Sequence, residues 1–296
     1  MTSRVMRDFD LLLPESVPDA MALLTTHKEN AAVLAGGTDL LVALKFDYSI
    51  DYVISLALTP GLDHLAFDPE DGLTIGAKVT VADILRSPAV KENYPALHQA
   101  AQVFATPQLR NSATVLGNLL RASPAGDCSL ACYAIGGTMV LESERGRREV
   151  DLDDFWISYG VTARRPDELA VELRLPPPAP GQKSAFRRMT RTHEDLSKIG
   201  AAVRLDMDGN ICRRARVAMG CVGPTLIRLL KTEEMLSGAA ITPDLLQWVA
   251  DSVAGQISPI DDKRSSAEYR LQVGGVLVRR VMEMALGEDR SHEGEK

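Results

Sequence analysis

Residues 35–39, Ala-Gly-Gly-Thr-Asp, constrain the fold most, because a strand pattern precedes them and a helix pattern follows them. The apolar run 31–35 predicts a strand, and leucines at positions 40, 41 and 44 predict a helix. Glycine permits a positive φ and a close backbone approach, and Thr38 is placed to cap the helix. The segment therefore predicts either an anion-binding turn at a helix N-terminus or a plain strand-to-helix turn.

A second region, residues 114–118 (Thr-Val-Leu-Gly-Asn) and 122–127 (Ala-Ser-Pro-Ala-Gly-Asp), offers backbone amides, small hydroxyls and one carboxylate. An ionised Asp127 is suited to accept hydrogen bonds from a ribityl chain or a ribose. Alternatively, Asp127 caps the helix that residues 130–134 indicate. Neither region is a Rossmann Gly-x-Gly-x-x-Gly turn or a P-loop. Together the two regions predict a dinucleotide held between two loops.

Length and composition favour a large folded chain. The 296 residues, 45% of them hydrophobic, bury a substantial core, and the length favours two domains. The sequence has no apolar run of about 18 residues and no apolar signal-peptide core near its start, so we expect a cytoplasmic protein without a membrane span. The net charge is −7 and basic residues form no long run, which argues against a duplex nucleic-acid surface.

The four cysteines, Cys128, Cys132, Cys212 and Cys221, form no Cys-x-x-Cys pair and have no accompanying histidine. Neither a zinc site nor a cysteine-ligated cluster is indicated, so we expect buried, reduced thiols. Cys128 and Cys132 are one helical turn apart, and a redox pair at these positions is the alternative.

The order of predicted elements indicates an α/β arrangement in the first part of the chain. The predicted strands are 9–13, 31–35, 51–56, 73–77, 138–141 and 148–152, and the predicted helices are 20–24, 40–44, 80–85 and 94–104. Residues 16–19, Ser-Val-Pro-Asp, and 80–83, Thr-Val-Ala-Asp, predict capped starts for the first and third of these helices. The last two strands flank a polar turn and predict a hairpin. We expect a mixed sheet.

Residues 175–181, Leu-Pro-Pro-Pro-Ala-Pro-Gly, cannot continue a helix or a central strand, and they mark the clearest domain boundary. Beyond them, alternating apolar residues on both sides of 208–210 predict a hairpin. Helical patterns follow at 227–236, 243–253 and 265–286. In the last of these we expect Gly274 to let a neighbouring element approach closely. A compact α+β domain is predicted for this part.

The two regions resemble those of the FAD-binding medium subunit of the molybdenum hydroxylases, the group that includes carbon monoxide dehydrogenase, xanthine dehydrogenase and aldehyde oxidoreductases. That family carries Ala-Gly-Gly-Thr/His-Asp/Ser, then Arg-Asn-x-Ala-Thr-Ile-Gly-Gly-Asn and Ala-Ser-Pro-x-x-Asp. This chain has residues 35–39, 110–118 and 122–127 in the same order, and the resemblance covers nearly all of it.

The resemblance implies an α+β fold, in which a two-part α/β FAD-binding domain of the PCMH type precedes a smaller C-terminal domain of sheet and helices. The implied FAD-binding domain spans 1–177, with parts at 1–57 and 58–177. The implied C-terminal domain, of the carbon monoxide dehydrogenase flavoprotein type, spans 182–288.

The resemblance also implies which residues meet the cofactor. Those expected at the pyrophosphate are Leu34, Ala35, Gly36, Gly37, Thr38, Asp39 and Leu40. Those expected at the phosphates and ribityl chain from the other side are Ala113, Thr114, Gly117, Asn118 and Asp127. Phe104 matches a family aromatic near the flavin ring, and the alternative is a core aromatic that ends a helix. No catalytic residue and no metal ligand is implied on this chain.

Residues 186–198 resemble the family loop that passes the flavin. A cation near the N1/C2 carbonyl region stabilises the reduced, anionic ring, and Arg187 and Lys198 are the candidates. The alternative is a solvated loop in which Arg191 pairs with Asp195, with His193 at the surface.

One position departs from the family pattern. Leu116 stands where the family has the first of two adjacent glycines, which leaves only Gly117. We expect the Leu116 side chain to face the core and a positive φ at Gly117 alone.

The resemblance implies an oxidoreductase subunit. Electrons taken from a substrate at a molybdenum centre on another chain would pass through iron-sulfur clusters to FAD on this chain and then to an external acceptor. The implied partners are a small [2Fe-2S] subunit and a large molybdopterin subunit, in a heterotrimer that can dimerise. Two alternatives stay open, a self-sufficient flavin oxidoreductase and a non-catalytic assembly subunit that has lost FAD.

Overall fold

The computed structural model describes residues 8–46 and 50–288. The helices are α1 (Val17–His27), α2 (Leu40–Ala43), α3 (Val81–Arg86), α4 (Pro88–Asn93), α5 (Pro95–Val103), α6 (Pro107–Arg110), α7 (Val115–Leu120), α8 (Asp127–Ile135), α9 (Leu230–Leu236), α10 (Pro243–Val253) and α11 (Ala267–Leu286). The strands are β1 (Asp10–Leu12), β2 (Ala31–Leu34), β3 (Tyr52–Ser55), β4 (Leu65–Asp68), β5 (Gly72–Gly76), β6 (Thr138–Ser143), β7 (Gly146–Asp151), β8 (Trp156–Ser158), β9 (Val161–Thr162), β10 (Leu169–Leu175), β11 (Gln182–Met189), β12 (Ile199–Asp208), β13 (Ile211–Gly220), β14 (Ile227–Arg228) and β15 (Ala239–Ala240).

The chain begins with a small parallel sheet of strand order β1-β3-β2. Helix α1 connects β1 to β2, and the Ser16 hydroxyl accepts the Asp19 N–H at its start, as the sequence predicts. Helix α3 begins with the predicted capping box, because Thr80 and Asp83 satisfy each other's backbone N–H groups. The strand-helix alternation at the start of the chain is therefore confirmed.

A separate antiparallel sheet has the strand order β4-β5-β10-β6-β7. Strands β6 and β7 form the predicted hairpin. The expectation of a mixed sheet is wrong, because β10 returns from a distant part of the sequence and pairs antiparallel with both β5 and β6. The parallel and antiparallel pairings are thus kept in different sheets.

The C-terminal part contains a sheet of order β11-β12-β13-β14, with β15 beside β13, and helices α9 to α11. Strands β12 and β13 form the predicted hairpin, and Gly209 in its turn has a φ of +58°. Two details differ from prediction. Residues 227–228 are a strand, so α9 starts at Leu230. Neighbours do approach Gly274, where a Cβ would lie 3.2 Å from Ile257 Cδ1, but the approach is closer at Gly275, where a Cβ would lie 2.1 Å from the Ala250 carbonyl oxygen.

Helix α8 lies against this C-terminal sheet and connects the two parts of the molecule. Gly220, at the end of β13, leaves room for the backbone before α8, since a Cβ there would lie 2.5 Å from the Pro124 carbonyl oxygen. The hydrophobic core around α8 also includes Phe186, Ala202 and Ala218 from the C-terminal strands.

Two arginines of the C-terminal sheet hold the end of α8. Arg204 donates to the Ile135 carbonyl at 2.9 Å, and Arg216 donates to the Tyr133 carbonyl at 3.0 Å. Cations at a helix C-terminus are favoured by the partial negative charge of its free carbonyls. Each guanidinium is also paired with a carboxylate, Arg204 with Asp206 and Arg216 with Asp153.

Among the described residues, none of the helices combines the length and the apolar composition that a membrane crossing requires.

Candidate functional site

Residues 35–39 lead from β2 into α2, and Gly37 has a φ of +72°, which glycine adopts without strain. The prediction that Thr38 caps the helix is wrong. The helix begins at Leu40, which makes Asp39 the N-cap residue, and the Asp39 side chain makes no capping hydrogen bond. Leu34 and Leu40 on either side pack onto a small apolar cluster, whereas Ala35 is exposed.

The Asp39 carboxylate pairs with the Arg121 guanidinium just beyond the end of α7. The Arg121 guanidinium also lies over the ring of Tyr159, at 5.8 Å from the ring centroid. Tyr159 is in the turn between β8 and β9. The side chains of Asp39 and Arg121 are 59% and 41% exposed, so this contact lies at the surface.

The two predicted loops meet through their backbones at Gly36. A Cβ at Gly36 would lie 1.8 Å from the Ser112 carbonyl oxygen and 3.2 Å from the Ala113 Cα. Real side chains never approach so closely, so glycine is required at this position. The structure therefore brings residues 35–39 against residues 112–113, which lie far away in the sequence, and the contact is possible because Gly36 has no side chain.

Helix α7 begins directly after this contact. Thr114 Oγ1 accepts the Gly117 N–H at 3.1 Å as the helix cap, and Ala113 and Thr114 are buried while Gly117 is exposed. The prediction of a positive φ at Gly117 is wrong, because Gly117 lies within the helix. The prediction that Leu116 faces the core is confirmed, since Leu116 is only 1% exposed.

Asn118 joins α7 to α8. Its side-chain oxygen accepts the Ser129 N–H at 3.0 Å and the Ser129 hydroxyl at 2.9 Å. A Cβ at Gly126 would lie 2.7 Å from Ser129 Oγ and 3.1 Å from the Asn118 oxygen. The glycine before α8 thus allows the two helices to be joined closely, and the Asn118 oxygen is engaged in that junction.

Asp127 is the first residue of α8, and the alternative that it caps the helix is wrong because Gly126 is the N-cap. Its carboxylate is 7% exposed, and Oδ2 accepts a hydrogen bond from Arg188 Nη1 at 2.7 Å. Burial raises the pKa of Asp127 to about 7, although the charge and the hydrogen bond of Arg188 act to lower it. The ionisation of this carboxylate therefore depends on its arginine.

Arg188 is a residue that the sequence analysis missed. The basic residues at 187 and 188 lie on one strand, β11, and consecutive strand residues face opposite sides of a sheet. That alternation separates the two arginines, but it does not say which of them faces α8. The structure places Arg188 on Asp127, with only 5% of its side chain exposed.

Phe104 ends α5 and packs against the core while remaining partly exposed. The turn after it is held by Arg110, whose Nη1 donates to the carbonyl oxygens of Gln102 and Phe104 at 3.1 and 2.9 Å. Ala105 in this turn has a φ of +39°, which is strained for a residue with a Cβ. The position of Phe104 is thus fixed by its backbone.

The other two predicted cations lie on and beside the loop that follows β11. Arg187 is partly buried on β11, and the Lys198 ammonium lies 5.6 Å from the centroid of the Tyr269 ring of α11. Arg191 pairs with Asp195 at 3.0 Å, and His193 is exposed, as the alternative interpretation of this loop predicts.

A hollow of about 190 Å³ adjoins this loop. It is lined by Arg191, Asp195, Leu196, Lys198, Lys263 and Arg264. Two of its guanidinium groups have carboxylate partners, because Arg191 pairs with Asp195 and Arg264 pairs with Asp262.

All four cysteines are buried and reduced. Burial raises the pKa of Cys132 to about 12 and those of Cys212 and Cys221 to about 11, and it raises that of Cys128 well above its ordinary value. Such thiols are chemically inert. Across the part of the chain that the structure describes, no group of three or more His, Cys, Asp and Glu side chains is placed to hold a metal ion.

Comparisons with known proteins match both parts of the chain. Residues 7–178 match the FAD binding domain in molybdopterin dehydrogenase, and residues 184–285 match the CO dehydrogenase flavoprotein C-terminal domain. The carbon monoxide dehydrogenase medium chain of Hydrogenophaga pseudoflava is 32% identical over 280 residues, which are 94% of this chain and 96% of that one. The nicotinate dehydrogenase FAD-subunit of Eubacterium barkeri is 31% identical over 90% of this chain and 92% of its own length.

Solved structures share the fold. A carbon monoxide dehydrogenase chain from Hydrogenophaga pseudoflava superposes with a TM-score of 0.92 at 30% identity, covering 96% of this chain and 99% of that chain. A chain of quinoline 2-oxidoreductase from Pseudomonas putida 86 superposes with a TM-score of 0.89 at 25% identity and the same coverage. The predicted α+β fold, an FAD-binding part followed by a part of sheet and helices, is confirmed. The chain therefore belongs to the family of FAD-binding medium subunits of the molybdenum hydroxylases.

Proposed function

We propose that this chain holds FAD between residues 35–39 and 113–127 and serves as the electron-transfer subunit of a molybdenum-containing hydroxylase or dehydrogenase complex. The observation that carries the proposal is the backbone contact at Gly36, where a Cβ would overlap the Ser112 carbonyl. This contact places the two loops side by side with no side chain between them, so that both can contribute backbone groups to one phosphate-bearing ligand. Family membership supports FAD as the ligand. Bound FAD supplies a redox couple that takes up and releases electrons.

The residues of this chain would share the cofactor between the two loops. The residues proposed for the pyrophosphate are Leu34, Ala35, Gly36, Gly37, Thr38, Asp39 and Leu40. The residues proposed for the other side are Ala113, Thr114, Gly117, Asn118 and Asp127. Phe104, Arg187 and Lys198 are proposed near the flavin ring, where aromatic and positively charged groups set the potential. The buried Asp127 carboxylate supports this division, because sugar hydroxyls need acceptors.

The proposal also includes the partner subunits and the cellular compartment of the complex. A small [2Fe-2S] subunit would deliver electrons that a large molybdopterin subunit takes from the substrate, and the heterotrimer would dimerise in the cytoplasm. The match over nearly the full length of medium chains from carbon monoxide dehydrogenase and nicotinate dehydrogenase supports an assembly of this kind.

The cradle is tested by the substitution Gly36→Ala in the purified full-length chain. The added Cβ forces the two loops apart at the Ser112 carbonyl, and we expect the Kd for FAD, measured by flavin fluorescence quenching, to rise by about 10- to 100-fold. Gly255→Ala is the matched control, because a Cβ there meets nothing within 4 Å and the residue has no positive φ. Circular dichroism of each variant verifies that it is folded.

The outcomes of these measurements distinguish the proposed electron-transfer subunit from the two alternative functions. A chain that binds no FAD even on reconstitution would favour the assembly subunit that has lost its cofactor. A yellow chain that oxidises a substrate alone would favour a self-sufficient flavin oxidoreductase. Equal FAD affinities for the Gly36→Ala and Gly255→Ala variants would reject the two-loop cradle.

The partner proposal has its own test. Mild co-purification of the untagged complex with metal analysis should find iron and molybdenum in co-purifying chains of two different sizes. A chain that purifies with neither metal under conditions that preserve its bound FAD would reject the assembly.

A further inference from the structure

The Arg188 guanidinium joins three segments of the proposed cofactor site. Its Nη1 donates to Asp127 Oδ2 at 2.7 Å, and its Nη2 donates to the carbonyl oxygens of Val103 at 2.5 Å and His193 at 2.9 Å. Val103 immediately precedes Phe104, and His193 lies in the loop after β11. One buried side chain therefore fixes the start of α8, the end of α5 and the loop together.

We propose that Arg188 is the positioning residue of the cofactor site: it holds the Asp127 carboxylate as an ionised acceptor for the sugar hydroxyls of FAD and ties the loop after β11 to α5. The inference rests on the proposed function, since it requires that the chain bind FAD. It adds a residue of the C-terminal sheet to a site whose other proposed sugar and phosphate contacts lie before β11.

The charge balance at Asp127 gives the physical reason. A carboxylate that is 7% exposed loses most of its hydration, and without a cation it becomes protonated. Even with Arg188 in place, burial raises the pKa of Asp127 to about 7, so the ionised form is only narrowly maintained. Arginine suits this role because its guanidinium does not deprotonate in proteins.

The geometry leaves the carboxylate able to bind a ligand. The hydrogen bond from Arg188 is received by Oδ2, and an ionised carboxylate has further acceptor positions on Oδ1. The two Nη2 donors of Arg188 go to two backbone carbonyls. Arg188 therefore orients the Asp127 carboxylate directly, and it holds the end of α5 and the loop after β11 through their backbone carbonyls.

Other titratable groups near Asp127 are accounted for. Cys128 on the same helix and Cys221 after β13 interact electrostatically with Asp127, and burial raises both thiol pKa values, that of Cys221 to about 11. Neither thiol changes charge between pH 5 and 8. Imidazoles are the remaining side chains that do so. His193 is exposed on the loop that Arg188 holds, and burial lowers the pKa of His98 on α5.

The experiment measures FAD affinity of the full-length chain from pH 5.5 to 8.5 by fluorescence quenching. At pH 8 we expect Arg188→Met to raise the Kd by about 10- to 100-fold, because a charged hydrogen bond to a buried group is lost. We also expect it to move the pH of half-maximal affinity upward, since the unpaired carboxyl stays protonated to higher pH. Arg188→Lys retains the charge and should keep more of the affinity than Arg188→Met.

A double-mutant cycle distinguishes positioning from a general loss of structure. If Arg188 acts mainly through Asp127, Arg188→Met should raise the Kd less in the Asp127→Asn chain than in the unmodified chain, and the pH dependence should be absent from both chains that carry Asp127→Asn. The effect that remains measures the hold of Arg188 on the loop and α5. Arg213→Met, which removes an exposed arginine of the same sheet, should leave the pH profile of the unmodified chain unchanged.

The failures are distinguishable. If the unmodified chain binds no FAD, the proposed function is rejected. If it binds FAD and Arg188→Met matches it in affinity and pH profile, only the role of Arg188 is rejected. Additive effects of Arg188→Met and Asp127→Asn reject it too. If Arg188→Met does not fold, Arg188→Lys is measured instead. The inference is also rejected if Arg188→Lys loses affinity by the same factor at every pH, so that the shape of its pH profile is that of the unmodified chain.

Discussion

The two ends of helix α8 are both held by arginines of the C-terminal sheet, yet they differ in how charge is balanced. At the C-terminal end, Arg216 donates to a helix carbonyl and to the Asp153 carboxylate, which lies outside the helix. At the N-terminal end, Arg188 pairs with Asp127, a residue of the helix itself. The arginines are similarly buried, with 8% and 5% of their side chains exposed.

The carboxylates at the two ends have pKa values shifted in opposite directions. Burial acts to raise the pKa of Asp153, but hydrogen bonds and charges from Arg216 and Arg228 outweigh it and hold the pKa below its ordinary value of 3.8. Burial of Asp127 outweighs its single arginine and raises the pKa to about 7. Two differences account for this: 35% of the Asp153 side chain is exposed against 7% of the Asp127 side chain, and Asp153 has two arginine partners where Asp127 has one. The Arg216–Asp153 pair therefore keeps its charges near neutral pH, whereas the Arg188–Asp127 pair can lose the carboxylate charge by protonation in that range.

Arg216→Met gives the largest expected effect on stability. The substitution leaves the Tyr133 carbonyl and one side of Asp153 without a donor, so we expect the free energy of unfolding to fall by about 2 to 3 kcal/mol. Urea titration of the apo chain measures this loss. Arg213→Met, which breaks an exposed ion pair with Asp208, should cost less than about 0.5 kcal/mol. In Arg216→Met, the pH profile of FAD affinity should be the same as in the unmodified chain. A shifted profile would mean that the C-terminal end of α8 influences the ionisation of Asp127 at its N-terminal end.

Acidification should separate the two ends directly. Below pH 7 the Asp127 carboxylate takes up a proton and loses its attraction to Arg188, so we expect the Kd for FAD to rise about 10-fold between pH 8 and pH 6. Because the pKa of Asp153 is lowered, its contribution is present above its ordinary pKa and is lost only at lower pH. The stability difference between the unmodified chain and Arg216→Met should therefore be equal at pH 6 and pH 8. A difference that shrinks at pH 6 would contradict this comparison.

The sequence predicts those features whose chemistry is local. Helix caps at Ser16 and Thr80, and the hairpin around Gly209, follow from residues within a few positions of one another. The two glycine-containing loops are recognised for the same reason, since glycine and a following helix pattern mark a close backbone approach. Even so, the contact of Gly36 with Ser112 depends on how two distant segments pack.

Long-range pairings were not predictable in the same way. Strand β10 has an apolar pattern, but nothing local shows that it inserts between β5 and β6 and separates the parallel from the antiparallel strands. Likewise, the spacing of Arg187 and Arg188 places them on opposite faces of β11, and only the packing of α8 decides that Arg188 meets Asp127. The residue that sets the charge of the candidate site is therefore visible only in the folded chain.

The smallest expected effect comes from an ion pair of the first loop. Asp39 and Arg121 are paired with 59% and 41% of their side chains exposed, and exposed pairs contribute less than about 1 kcal/mol. Asp39→Asn should therefore raise the Kd for FAD by less than about 5-fold, and by less still at high salt, where the charge is screened. Parallel titrations of Asp39→Asn and Arg188→Met at low and high salt measure the contrast. The Asp127–Arg188 pair is buried and Arg188 also holds two backbone carbonyls, so an equal loss of affinity in both variants would contradict the expectation that this pair matters more than the exposed one.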